Sequence, residues 1–182
     1  MQKLFWQLLP SLLTVCGQEW AARVHLTLLK DCTVIQIERT RKIGATPEAV
    51  WAELSRFMHL DDIAPLVVKV DALTDFREGL GARRRAHFDN GTSLVEEVVD
   101  WQPNREMTIH CSDLEPLPLK ALETIIRVEP LPNGRSKTVW NTQFQVKFGP
   151  FGWLMGQLLM RRPFNTVVGG NLKGLEKRVI SG

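Results

Sequence analysis

The chain has 182 residues, 44% of them hydrophobic and 24% charged, which suffices for one domain with a single sizeable core and excludes a disordered polypeptide. A net charge of +3, from 23 basic and 20 acidic residues, is too dilute to predict nucleic-acid binding. Cys16, Cys32 and Cys111 lack C-x-x-C spacing, the four histidines lack paired-ligand spacing, and there is no Gly-rich phosphate loop, so no disulfide framework, metal or nucleotide cofactor is expected.

Residues 1–33 differ in style from the rest of the chain. Lys3 precedes an apolar stretch over residues 4–15, which Pro10 interrupts and which is too short for a membrane span. The stretch resembles a weak secretory signal with a poor cleavage context at Val15-Cys16-Gly17. It reads as an N-terminal extension, signal-like or amphipathic, through which membrane contact is conceivable. Cytoplasm is the expected location, and export through this segment is the alternative.

From Val34 the pattern becomes regular, and a domain over residues 34–182 is expected. Residues 34–43 are rich in β-branched side chains and predict a first strand. Thr46-Pro47-Glu48 predicts a helix start: a capping hydroxyl, a proline suited to the first turn, and an acid at the positive end. Residues 59–65 read as a polar connection to a strand over residues 67–74.

Two strands then flank Asn90-Gly91, the preferred centre of a two-residue type I′ hairpin. In that register Phe88 faces Ser93, Ala86 faces Val95, Arg84 faces Glu97 and Ala82 faces Val99. This face is mostly apolar and is expected to be the inner one, with Arg85 and Glu96 meeting outside. Arg84 and Glu97 are thus expected together in the interior, where a charge must be paired or hydrogen-bonded. Mutual pairing is one reason to keep them; a polar group on a ligand is another.

In the following strand Met107, Ile109 and Cys111 form the apolar face, so His110 points outward. A three-residue turn places Glu96 opposite His110, as a surface pair rather than acid–base machinery. Residues 122–128 alternate, Pro132-Asn133-Gly134 makes a turn, and Trp140, Thr142, Phe144, Val146 and Phe148 alternate with polar residues as a half-buried strand. Thr124 and Thr142 put hydroxyls on the apolar face. Residues 151–180 predict one long helix, kinked or broken near Arg161 by Pro163, with Gly169-Gly170 allowing close approach to the sheet.

These segments come in a familiar order. Ile37-Glu38-Arg39-Thr40 followed by Ala45-Thr46-Pro47-Glu48-Ala49-Val50-Trp51, then Gly81-Ala82-Arg83, Glu96-Glu97-Val98 with Trp101, and Asn171-Leu172-Lys173-Gly174-Leu175-Glu176, resembles the polyketide cyclase/dehydrase and lipid-transport family of the START and birch-pollen-allergen-like superfamily. The resemblance covers about residues 34–180. It implies an α+β helix-grip fold, a curved antiparallel sheet wrapped around a long C-terminal helix, with a cavity between them. Members bind lipids, polyketides, hormones or other hydrophobic ligands, and a minority catalyse cyclisation or dehydration. It carries over no particular catalytic residue.

The expected function is binding or transport of a small hydrophobic ligand, lipid, polyketide-like or isoprenoid, without a cofactor. The expected walls are Trp101, Trp140, Phe144, Met155 and Leu159, with Arg84, Glu97 and Thr142 as orienting polar groups. Singly, each aromatic is as readily ordinary core. The alternative is a cyclase or dehydratase acting on a polyketide-like substrate, with Glu97 as acid/base and no metal or nucleotide. The ligand and the oligomeric state stay open.

Overall fold

A computed structural model describes residues 34–181. The expectations for residues 1–33 lie outside the described residues. The elements are β1 (Val34–Ile43), α1 (Pro47–Ser55), a 3-10 segment (Phe57–Asp62), β2 (Val67–Ala72), β3 (Arg83–Phe88), β4 (Ser93–Gln102), β5 (Glu106–Ser112), β6 (Leu119–Leu131) and β7 (Arg135–Val146). The chain ends in α2 (Gly149–Met155), a π-turn (Gly156–Met160) and α3 (Arg161–Ser181). The strands form one curved sheet of seven, in the order β1-β7-β6-β5-β4-β3-β2, with β2 to β7 paired antiparallel in succession. This is the α+β helix-grip architecture.

Thr46 caps α1 as its sequence predicts, its Oγ1 accepting from the Ala49 N–H at 3.3 Å, and Val50, Trp51 and Leu54 turn inward. The connection after α1 is a correction. Residues 59–65 are not a wholly polar loop: Leu60, Ile63 and Ala64 are buried, next to the buried Phe57 and Met58. These apolar side chains make the 3-10 segment a wall of the core, packed on β2 and α3.

The β3–β4 hairpin corrects the expected register by one residue. The Phe88 N–H donates to the Thr92 C=O at 2.9 Å, and the Gly91 N–H to the Phe88 C=O at 3.0 Å, so the loop is the three residues Asp89-Asn90-Gly91. Only Gly91 of these takes positive φ, at 80°, as a type I turn closed by a left-handed residue requires. Asn90 contributes its side chain instead, Oδ1 accepting from the Thr92 N–H and hydroxyl at 3.0 and 2.7 Å. Arg84 therefore opposes Glu96, and Arg83 opposes Glu97. A slip of one exchanges the two faces of a strand. Leu94, Glu96 and Val98 point inward, and Glu97 points outward.

Pairing between β4 and β5 shifts between Val98 and Asp100, leaving Val99 as an exposed, bulged residue. The bulge restores the inward direction further along β4, so Trp101 opposes buried Met107. His110 is exposed as expected, but its partner across the strands is Glu97, not Glu96.

The C-terminal helical run is irregular where expected, near Arg161: the Arg161 N–H reaches back to the Gly156 C=O in a π-turn, and the helix continues through Pro163. Pro163 has no N–H to give to the preceding turn, and the π-turn lies within that turn. The close approach expected of Gly169-Gly170 is made elsewhere. A Cβ on Gly169 meets nothing within 4 Å, and on Gly170 only the Pro65 ring at 3.7 Å. At Gly174 it would lie 1.9 Å from the Ile63 carbonyl oxygen. That contact seats α3 directly on the backbone that follows the 3-10 segment.

Candidate functional site

Between the inner face of the sheet, the 3-10 segment and α3 lies a cavity of about 90 Å³. β4 supplies Leu94 and Glu96, β5 supplies Cys111, and β6 and β7 supply Leu122, Thr124, Trp140 and Thr142. Leu60 and Ala64 close it from one side, and Phe164, Val168 and Asn171 of α3 from another. Strand alternation puts the sheet residues on one face, and i, i+3, i+4 spacing puts Val168, Asn171 and Leu172 on one helical stripe.

Few polar groups face this apolar space. Thr124 and Thr142, direct cross-strand partners, share a hydrogen bond of 3.1 Å between their hydroxyls. Asn171 is only 8% exposed, and its amide makes no hydrogen bond among the described residues. Its amide is not among the fully enclosed polar atoms that lack a partner, so it opens onto accessible space where a ligand group or water can bond to it.

Glu96 is the carboxylate of the wall. Its Oε2 accepts from Arg84 Nε at 2.5 Å. The side chains are 4% exposed for Arg84 and 16% for Glu96. Arg84 also donates through Nη1 to the Phe57 carbonyl, and its guanidinium lies 3.8 Å above the Phe57 ring. Such a pair is acceptable in the interior because each partner is satisfied and the cation lies on an aromatic face. Cys111, opposite Glu96 on β5, is a packing group. Burial, reinforced by the Glu96 charge and partly offset by Arg84, pushes its thiol well above the ordinary value, so it stays protonated.

Of the residues expected at the site, Trp140 and Thr142 line the cavity. Arg84 stands one layer behind it, holding Glu96. Glu97 does not reach it. Its side chain lies on the outer face, 3.4 Å from Arg83 Nε, because the three-residue turn shifts the register. Trp101 is inside the fold but packs edge-on against Trp51 at 5.0 Å, toward α1. Phe144 backs the wall by stacking on Phe164 at 4.6 Å. Met155 is half-buried and outside the cavity wall. Leu159 is 61% exposed and faces solvent, since the helix there turns Gly152 and Gly156 to the sheet.

The sequence reasoning missed Glu96, Asn171, Leu60 and Ala64. Asn171 had a visible signal, an amide on the stripe of Val168, Leu172 and Leu175. A wider, open groove of about 500 Å³ runs between β1 and α3, past Arg39, Arg41 and Lys173. It is polar, and Arg41 is tied to Glu176 there, so it is a solvated surface.

The sequence model of the polyketide cyclase / dehydrase and lipid transport family matches residues 34–179. No curated protein matches the chain by sequence. Among solved structures, the protein XoxI from Bacillus cereus is 18% identical with a TM-score of 0.66, over 80% of this chain and 95% of that one. An aromatase/cyclase from a Streptomyces species is 20% identical with a TM-score of 0.64, over 80% of this chain and 93% of that one. Norcoclaurine synthase from Thalictrum flavum, in complex with dopamine and hydroxybenzaldehyde, is 16% identical with a TM-score of 0.64, over 81% and 87%. At these identities the three share the fold.

Proposed function

The chain belongs to the polyketide cyclase/dehydrase and lipid transport family, and from that premise we propose that it binds a small hydrophobic molecule carrying a hydrogen-bonding group, held between the sheet and α3. The observation that carries this reading is the Asn171 amide, which lines an apolar cavity wall and makes no hydrogen bond among the described residues. Asn171 offers both a donor and an acceptor to a ligand. Glu96 of β4, held in place by Arg84, presents a carboxylate to the same space. Apolar walls with a few converging polar groups suit an amphipathic ligand.

Size limits the ligand. The space of about 90 Å³ is below the ~300 Å³ usual at ligand sites, and below the ~150 Å³ of an engineered cavity that takes benzene. Anything larger than a few heavy atoms therefore enters by displacing side chains of α3, Phe164 first, because it stacks on Phe144 rather than hydrogen-bonding to anything.

A cyclase or dehydratase reading rests on Glu96, not on the outward Glu97. Its ion pair with buried Arg84 suits Glu96 to accept a hydrogen bond and to orient a ligand, which favours binding over proton transfer.

Asn171→Leu tests the proposal through two opposite changes. Filling the cavity with an apolar side chain in place of the amide should raise ligand-free stability by about 1 kcal/mol, or roughly 2–4 °C in melting temperature for a chain of this size. The same change should weaken saturable binding of the hydrophobic probe 8-anilinonaphthalene-1-sulfonate. A lowered melting temperature with unchanged probe binding would show Asn171 to be a satisfied structural residue and would remove the main support for this site.

A further inference from the structure

A helix at the surface of a domain ordinarily buries its large apolar residues and exposes its polar ones. The stretch from Phe148 to Arg162 does the reverse. Its fully buried residues are Gly152 and Gly156, with Met160 partly buried against the core at its end. A Cβ on Gly156 would lie 2.5 Å from Ile35 Cδ1 and 2.6 Å from Val146 Cγ2, so the sheet side has no room for a side chain. Its outward residues are the bulky ones. Phe148, Phe151, Leu158 and Leu159 are each at least 61% exposed, and Trp153 and Leu154 are exposed beside them. Two turns and the π-turn thus present a continuous aromatic and aliphatic face that no described residue covers.

Its charge says what fits there. No Asp or Glu occurs between Lys147 and Glu176, while Arg161, Arg162 and Lys173 do. Arg161 and Arg162 are exposed and follow directly on the π-turn that carries Leu158 and Leu159. An apolar face with aromatic residues and an arginine rim is the pattern of a segment lying in a lipid interface, its cations drawn to anionic headgroups. Among the described residues no helix is long and apolar enough to cross a membrane, so the segment would lie on the surface. A second copy of the chain fits less well, because its matching face brings the same acid-free segment and no carboxylate for the arginines.

We propose that the Phe148–Arg162 face docks the chain onto an anionic lipid surface. The proposal does not depend on what the cavity holds. It does bring the two features together, since the helical run that carries this face continues into Phe164 and Val168 of the cavity wall.

Co-sedimentation of the full chain with vesicles tests it, using phosphatidylcholine alone or mixed with phosphatidylglycerol. Binding is expected to the mixed vesicles, falling about fivefold for each of Arg161→Gln and Arg162→Gln. The double variant Phe151→Ser/Leu158→Ser should lose binding by about a hundredfold, with an unchanged melting temperature because both side chains are exposed. Failure of the full chain to bind either vesicle overturns the proposal. So does binding that survives in the double variant, which would put the contact on residues 1–33. A dimer in sedimentation velocity that the double variant disperses, with no lipid binding, would assign the face to a second copy instead.

Discussion

Replacing Arg84 with alanine is expected to lower stability by about 3–5 kcal/mol, because it removes one partner of a buried ion pair. The guanidinium serves three neighbours at once: Glu96, the Phe57 carbonyl and the face of the Phe57 ring. Alanine leaves the Glu96 charge and the carbonyl uncompensated and opens a void beside Phe57. Chemical denaturation measures the loss. Glu96→Gln keeps the shape and a hydrogen-bonding group, so its cost is smaller, and a double-mutant cycle with Arg84→Met should show a coupling of about 1–3 kcal/mol. Glu97→Gln should change stability by no more than about 0.5 kcal/mol and show no coupling to Arg84, because Glu97 and Arg83 meet on the exposed face. Strong coupling of Arg84 to Glu97 instead of Glu96 would mean that the hairpin closes on two residues and that the inner face is misassigned.

The second large effect comes from adding one methyl group. Gly174→Ala should cost about 3 kcal/mol, toward the upper end for overpacking. The new Cβ would fall 1.9 Å from the Ile63 carbonyl oxygen, a backbone atom that cannot rotate away. α3 would have to lift from the segment that carries Leu60 and Ala64 into the cavity wall. Gly169→Ala, in the same helix and chemically identical, meets nothing within 4 Å. It should stabilise by roughly 0.5–1 kcal/mol through helix propensity alone. Opposite signs in the two denaturation midpoints are the expected result. A loss of stability at both positions would contradict the seating of α3 on Ile63.

The fold was legible because strand alternation, the Thr46-Pro47 cap and the long apolar helical stripe each imposed a local structure that the tertiary packing keeps. The site was less legible, and the reason is geometric. Asn90-Gly91 suits either a two-residue turn or the last two residues of a three-residue loop, and only the Phe88–Thr92 hydrogen bond decides between them. Because side chains alternate strictly, that single residue exchanged Glu96 for Glu97 as the inner carboxylate. Trp101 was assigned inward under the wrong register, and it lies inward in the structure only because Val99 bulges. Leu159 has the spacing of a core residue, but the helix face was set by the glycines opposite it, whose lack of a side chain is easily read as weakness rather than as fit. Leu60 and Ala64 lay within a stretch whose charged neighbours, Asp61 and Asp62, made it read as a loop.

The central claim is that the space beneath α3 holds a hydrophobic molecule. Native mass spectrometry of the full chain after incubation with a lipid extract tests it most directly, with Ala64→Leu as the control that adds three carbons to the cavity wall. The expected result is a small-molecule adduct on the native chain that is released on unfolding and absent from Ala64→Leu. Equal adducts on both proteins, or none on either, would contradict the account.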